Sequence, residues 1–277
     1  LDETSEGRRL LEASYHIPLS GIFDITPHIE KIEKGASLDP EDLTIISDFL
    51  RGCRKVKLFV KDKEGYAPTL CSYGDNITDL SYIEDEINKC IRGSVVDSNA
   101  SKELKKIRRL IDECEEKIRE RLDIFLKNSE NKQYIQEFFI SKRNGRYTIP
   151  IKSAYKKYVK GTVIEASSKG STVFMEPDTI SRYTSELATL KIEESIEEYK
   201  ILGMLTEMLN ERIRDLKINI EVIAEYDMIW AKAKYSNDIS GIKPKLNNYG
   251  YIKIVDGKYP LIKNGVPLNF EVGKGYR

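Results

Sequence analysis

Short helical runs fill residues 1–93, where apolar positions recur at helical spacing and turn-forming residues separate the runs. They predict one helix before HIPLSGIFD, a second around ITPHIEKIEKG and a third that opens at LDPEDL and runs to about Val60. Asp39 and Pro40 occupy the cap and first turn of the third helix. The stretch KDKEGYAPTLCSYGDN predicts a loop. We interpret the whole block as one helical core unit.

After GSVVDSNAS the pattern changes to a narrow apolar seam with charged residues between its members. A seam that alternates steps of three and four residues is typical of a coiled coil. Its members are Leu104, Ile107, Ile111, Cys114, Ile118, Leu122 and Phe125. Candidate cap residues stand where this helix should begin, namely Asp97, Ser98, Asn99 and Ser101.

A second long helical stretch covers residues 178–238, which contain no proline and one glycine, Gly203. A continuous helix of this length would extend on the order of 90 Å at 1.5 Å per residue. We expect a kink near Gly203 or Asn210. Two long helices that enter and leave one short segment predict an antiparallel pair with that segment at its tip, an architecture resembling a lever with a head.

The segment between the two helices, RYTIPIKSAYKKYVKGTVIEASSKGSTVFMEP at residues 146–177, predicts short strands and turns. Further strands are predicted for YIKIVDGKYPLI and VPLNFEV near the end of the sequence. The chain opens in a helical pattern without an initiator Met and stops at GKGYR, so we expect a piece of a longer protein.

Overall charge indicates no particular partner, because 45 Lys and Arg balance 45 Asp and Glu. No apolar run approaches the roughly 20 residues of a membrane span, and no N-terminal pattern resembles a signal peptide, so we expect a cytoplasmic protein. The scattered cysteines argue against a zinc site and are expected to be reduced and structural. They are Cys53, Cys71, Cys90 and Cys114.

Local charge is different, because basic residues dominate from residue 142 to residue 169 and the one acid there is Glu165. Three tyrosines, Tyr147, Tyr155 and Tyr158, alternate with these cations, and this composition is typical of surfaces that contact phosphates and bases. The cations are Lys142, Arg143, Arg146, Lys152, Lys156, Lys157, Lys160 and Lys169. A solvated face and a protein-docking face remain alternatives to nucleic-acid contact. The turn SSKGS adds backbone amides and hydroxyls that could contact a phosphate.

Catalytic motifs are absent from the sequence, which contains no GxxxxGK[ST] loop, HExxH, GxSxG or EF-hand pattern. His16 is expected to be a packing residue at a helix end, and Glu176 is expected to cap or orient the following helix. We therefore predict that this chain is not itself an enzyme and has no metal or catalytic site.

The segment at 146–177 closely resembles the clamp of the second bacterial MutS subfamily (MutS-two). Further similar stretches occur in the family's order: LDETSEGRRLL near the start, PLSGIFDI, AEYDMIWAKAKYS and GKYPLI. The resemblance spans essentially the whole chain. It implies a mainly α fold, with a helical core and a long antiparallel helical lever pair that carries a small β clamp at its tip.

The resemblance also implies domain bounds and partners. The basic residues above would bind duplex or branched DNA through its backbone, in a homodimer of the full-length protein, and a ribosome or structured RNA is the alternative substrate. The implied parts are the core (1–97), the ascending lever helix (98–136), the clamp (137–177), the descending lever helix (178–204), the second part of the core (205–250) and strands leading into an ATPase domain (251–277).

Family members continue into an ABC-type ATPase, so ATP and Mg²⁺ are expected for the longer protein and not for this chain. The resemblance places Val266 and Pro267 at the adenine-side edge of that site, and leaves a C-terminal nuclease domain undecided. Tyr259 replaces the family's usual His in GKYPLI. The chain also has no room for the mismatch-reading domain of true MutS proteins. A coiled-coil module that docks a protein or the ribosome through its tip is the rival interpretation.

Overall fold

The computed structural model describes residues 1–262 and 265–273. Its α-helices are α1 Asp2–Glu12, α2 Thr26–Glu33, α3 Pro40–Lys61, α4 Pro68–Asp75, α5 Ser81–Cys90, α6 Lys102–Lys127, α7 Ser181–Asn210 and α8 Ile213–Asp238. Its strands are β1 Ile91–Arg92, β2 Val95–Val96, β3 Ser141–Arg143, β4 Arg146–Lys152, β5 Gly161–Ala166, β6 Thr172–Pro177, β7 Ile252–Gly257 and β8 Leu268–Val272. The predicted mainly α class is confirmed. None of the described helices combines the length and hydropathy needed to cross a membrane.

The chain divides into two compact units. The first contains α1, α4, α8 and the β7–β8 hairpin, and the second contains α5, α6, α7 and the remaining strands. The first unit is formed by residues 1–29, 48–81 and 212–277, and the second by residues 30–47 and 82–211.

In the first unit, the prediction that KDKEGYAPTLCSYGDN is a loop is wrong, because α4 forms within this stretch. Pro68 stands at the start of α4, where its missing N–H costs nothing. The buried carboxylate of Glu6 accepts hydrogen bonds from Thr69 Oγ1 at 2.8 Å and from the Leu70 amide at 3.0 Å. A side chain of α1 therefore caps α4, and this long-range contact outweighs the local turn signals.

Aromatic packing completes the first unit. Tyr226 of α8 is fully buried, and its hydroxyl donates a hydrogen bond to the backbone carbonyl of Leu70. Burial raises the pKa of this hydroxyl well above its ordinary value. The His16 ring lies edge-on to Trp230, with centroids 6.3 Å apart, as the packing interpretation of His16 predicted.

In the second unit, α6 and α7 pack against each other in opposite directions, and we call them the helix pair. Ser101 near the start of α6 donates to Glu197 of α7, whereas Cys114 further along α6 donates to the carbonyl of Tyr183 near the start of α7. The seam residues predicted for α6 are buried from Leu104 to Leu122, and the last predicted member, Phe125, is partly buried. The Ser101 hydroxyl also accepts from the Leu104 amide at 2.9 Å and caps α6.

The expected interruption of the second long helix lies at Asn210, where α7 ends, and α8 begins at Ile213. Gly203 stays inside α7, and there is open space where a side chain would stand. A glycine costs about 1 kcal/mol in a helix, so α7 tolerates it without breaking.

An antiparallel sheet with strand order β3-β4-β6-β5 lies between α6 and α7 in sequence, and we call it the sheet. Asn144 and Gly145 turn β3 into β4 with positive φ values of 48° and 77°, which a two-residue hairpin requires. Gly161 opens β5 where a side chain would meet the backbone oxygen of Glu176. Glycine therefore permits the close approach of β5 to β6.

One apolar cluster joins the sheet to the helix pair. Ile118 and Leu122 of α6 are fully buried in it, together with Ile149 and Ile151 of β4 and Met175 of β6. Because these side chains share a single core, the sheet has no separate core of its own.

Arg108 links the two helices at the end of the pair away from the sheet. Its guanidinium donates to Glu194 at 2.8 Å and to Glu198 at 2.6 Å across the pair, and to the Val96 carbonyl and the Ser98 hydroxyl beside it. Burial disfavours the charged form of Glu194, but hydrogen bonds from Arg108 and Lys191 outweigh this effect and lower its pKa.

We expect Arg108→Met to lower the free energy of unfolding by about 2 kcal/mol at neutral pH, because it leaves the partly buried carboxylates of Glu194 and Glu198 without their main donor. The pKa of Glu194 is depressed in the folded state, so this stabilisation is present above the ordinary value of 4.5 and is lost as the pH falls through the folded value. Urea denaturation at pH 7 and pH 3 measures both effects. The adjacent Arg109→Met is the control, since that side chain is 70% exposed. Equal effects of the two substitutions would contradict the prediction.

Candidate nucleic-acid interface

The basic residues predicted for the interface divide into two groups. Lys142, Arg143, Arg146 and Lys152 lie in the strands β3 and β4. Lys156, Lys157, Lys160 and Lys169 lie in two loops of the same sheet, residues 153–160 between β4 and β5 and residues 167–171 between β5 and β6. We call these the basic loops.

The cations of β3 contact neighbouring side chains. Lys142 Nζ lies 4.8 Å from the centre of the Tyr147 ring and 3.7 Å from a carboxylate oxygen of Glu115. The Arg143 guanidinium lies 4.2 Å from the centre of the Phe174 ring. Such contacts partly occupy the two cations within the protein.

The cations of β4 are also engaged. Arg146 lies 3.6 Å from a carboxylate oxygen of Glu176, which is buried. Lys152 donates to the backbone carbonyl of Gln133 at 3.0 Å. The strand group is therefore less available to a ligand than its place in the sequence indicated.

The loop cations are exposed and show no ion pair among the residues that the structure describes. The first basic loop is fixed at both ends, because the Ser153 amide donates to the carbonyl of Ser171 and the Asp178 amide donates to the carbonyl of Lys160. Val159, 7% exposed, anchors the end of the loop next to β5 in the apolar cluster. The loop thus presents its three lysines from a backbone held in place on the sheet.

The three tyrosines predicted to lie among the cations do not behave alike. Tyr147 is 7% exposed and belongs to the apolar cluster, so the prediction of a surface role is wrong for it. Both faces of β4 are covered at this point, because all five residues from Tyr147 to Ile151 are buried. Tyr155 and Tyr158 are exposed by 39% and 69%. Tyr134, which precedes the basic segment in the sequence, contacts both of them.

The SSKGS turn forms between β5 and β6, with Gly170 at a φ of 68°. Its amides are partly used within the turn, since Gly170 donates to the Ser167 carbonyl at 2.8 Å. Thr172 donates its amide to the Ser167 hydroxyl at 3.2 Å. These bonds reduce what the turn can offer a phosphate, and its exposed cation is Lys169.

Glu176 connects the sheet to α7, as predicted for a residue that orients the following helix. Its carboxylate accepts from the Thr184 hydroxyl at 2.8 Å, and Thr184 lies in the first turns of α7. The same carboxylate faces Arg146. We infer that this contact has a positioning role.

The cysteines form no disulfide among the described residues, and Cys53, Cys90 and Cys114 are buried. Burial raises the pKa of the Cys53 thiol to about 12. Within the described ranges, no three His, Cys, Asp or Glu side chains gather as a metal-binding group.

The predicted adenine-side edge lies just before β8. Val266 is 89% exposed, and Pro267 is exposed beside it. The preceding residues 263–264 and the terminal residues 274–277 lie outside the described residues. The assignment of Val266 and Pro267 to an adenine-side edge stays a prediction.

No protein-family profile matches the chain. Individual proteins do match it over nearly its whole length. It is 34% identical over 279 residues to an Endonuclease MutS2 from Alkaliphilus oremlandii, a match that covers 99% of this chain and 35% of that protein. The Endonuclease MutS2 of Clostridioides difficile is 36% identical over 266 residues, covering 95% and 34%.

The Endonuclease MutS2 of Thermotoga neapolitana is 36% identical over 258 residues, covering 92% of this chain and 33% of that protein. The chain therefore spans about a third of the length of the curated relatives that it matches. The similarity extends through both compact units. It supports MutS2 as the family to which this chain is related.

Proposed function

We propose that the chain is the core, lever and clamp region of a MutS2-like protein, in which the helix pair is the lever and the sheet is the clamp. The observation that carries the proposal is the position of Lys156, Lys157, Lys160 and Lys169, which are exposed on loops of one sheet in a chain of zero net charge. Such a surface attracts the nucleic-acid backbone and reads no base sequence.

The mechanism we propose uses the shared apolar cluster. Because the sheet and the helix pair have one core, a displacement of the helices would carry the sheet with it. In the longer protein, an ATPase outside this chain would supply that displacement, and a homodimer would close two clamps around duplex or branched DNA in repair or in suppression of recombination. ATP, Mg²⁺ and any nuclease activity are assigned to the rest of the protein, and no catalytic residue to this chain.

The test is a fluorescence-anisotropy titration of the 277-residue chain with duplex DNA, a four-way junction, single-stranded DNA and structured RNA at two salt concentrations. Backbone binding should weaken with salt by a log–log slope of about 0.9 per phosphate contact on duplex DNA. If each of the four loop lysines contacts a phosphate, the slope should be about 3 to 4. Absence of binding to all four probes would overturn the proposal.

A rival function is docking of a protein or the ribosome through the tip. Phe138 and Phe139, which precede β3, are 59% and 43% exposed and favour an apolar contact. A partner held by these rings would bind with little dependence on salt, in contrast to a phosphate backbone. The same titration against purified ribosomes, with Phe138→Ser as the variant, separates the two functions.

A further inference from the structure

We propose that the exposed face of Tyr158 stacks on an unpaired nucleobase, so that the clamp prefers nucleic acid with a single-stranded branch or gap beside a duplex. This inference rests on the proposed function and adds to it a ligand class that backbone attraction does not supply.

Three aromatic rings form a cluster on the first basic loop. The rings of Tyr134 and Tyr158 are nearly parallel, with an interplanar angle of 5° and centroids 6.0 Å apart. Tyr155 is tilted against both, at centroid distances of 5.7 Å and 6.1 Å. Tyr158 nevertheless remains 69% exposed. The cluster supports one side of this ring and leaves the other side to solvent.

Backbone contacts hold the cluster in place. The Tyr134 carbonyl accepts from the Lys152 amide at 2.9 Å, and Ile135 pairs with Ile151 in a single bridge beside β4. The Tyr158 amide donates to the Tyr155 carbonyl at 2.9 Å. With buried Val159 next in the chain, Tyr158 has little freedom to turn away. A ring whose position is set before binding loses less entropy when a ligand stacks on it.

The geometry decides where a base can lie. Insertion between Tyr134 and Tyr158 would need about 7 Å, two stacking distances of about 3.5 Å, and their centroids are 6.0 Å apart. The free outer face of Tyr158 is therefore the stacking surface, and it accepts any base because every base has a π face.

Charge beside the ring suits the same ligand. Lys156 and Lys157 precede Tyr158, Lys160 follows it after Val159, and all three lysines are exposed. When a base lies on the ring, the phosphates of its strand would be within reach of the ammonium groups of the lysines that precede and follow Tyr158. Bases inside a duplex are already stacked on their neighbours, so a paired base gains nothing from Tyr158. An unpaired base does, and this difference creates the preference.

The experiment uses three DNA probes built on the same duplex, whose ends are closed by ethylene-glycol linkers. The first probe has no branch, the second has an internal branch of about five nucleotides, and the third has the same branch without its bases. The two branched probes carry equal numbers of phosphates and differ only in the presence of the bases. RNA branches of the same length distinguish the two sources of an unpaired base. We expect the chain to bind the branch with bases about tenfold more tightly than the abasic branch.

Tyr158→Leu should remove this difference between the two branched probes. Tyr199→Leu is the matched control, because Tyr199 is 68% exposed on α7 and outside the cluster. It should behave as the unaltered chain. Circular dichroism confirms that both variants are folded.

Each outcome has one meaning. If the unaltered chain binds both branched probes equally, or if Tyr158→Leu keeps the preference, stacking by Tyr158 is overturned. Binding to the unbranched duplex would still support the proposed function in that case. Absence of binding to every probe overturns both. If Tyr158→Leu abolishes the preference and Tyr199→Leu does not, the inference is supported. The larger of the preferences measured with DNA and RNA branches then identifies which nucleic acid supplies the unpaired base.

Discussion

Replacing Lys156, Lys157 and Lys160 with glutamate should weaken duplex DNA binding by roughly a hundredfold or more at low salt. The change removes three cations that are exposed on one loop and puts three anions in their place. Both changes act against the phosphate backbone, and the salt dependence should fall by about 2.7 in log–log slope, about 0.9 for each lysine that no longer neutralises a phosphate. Anisotropy titrations at several salt concentrations measure affinity and slope together.

The matched control for this variant is Lys102→Glu, Lys105→Glu and Lys106→Glu. These three lysines are also exposed and lie in the second unit, in the first turns of α6 and away from the sheet. The control changes the net charge of the chain by the same amount, so it separates local contact from general repulsion. If both triple variants lose affinity equally, the basic loops are not the binding surface.

Truncation of Leu122 to Ala should lower the free energy of unfolding by about 2–5 kcal/mol, among the largest effects expected for a single core residue. Leu122 is fully buried near the end of α6, in the cluster that joins the helix pair to the sheet. Its removal leaves a cavity that rigid neighbours on two helices and a sheet cannot readily fill. Urea denaturation followed by circular dichroism gives the change.

Ile124→Ala is the control on the same helix, because Ile124 is 63% exposed only two residues away. Its truncation should cost no more than about 0.5 kcal/mol. A similar loss of stability for both variants would contradict the prediction, because alanine is the best helix former and helix propensity cannot explain a loss at the exposed position.

The seam of α6 could be predicted from the sequence because its period reflects which face is buried, and Leu104 to Leu122 are indeed buried. The cap at Ser101 could also be predicted, because this capping residue lies next to its helix in the sequence. The helix α4 could not be predicted, since its cap comes from Glu6, about sixty residues earlier in the chain. Local turn chemistry was a misleading signal there.

The candidate site was predicted in composition but not in detail. Which cations are free depends on cross-strand neighbours, and residue spacing does not reveal that Arg143 lies over Phe174. Tyr134 was missed because a single bridge beside β4 brings its irregular segment to the basic loop. Binding of nucleic acid by this surface stays a prediction.

The core shared by the sheet and the helix pair has a consequence for hydrogen exchange. A strand such as β4 cannot open to solvent while Ile149 and Ile151 remain buried in one cluster with Ile118 and Leu122. Amide protons of β4 and of the second half of α6 should therefore belong to one cooperative opening unit, with equal protection. The sheet would then unfold only together with the helix pair.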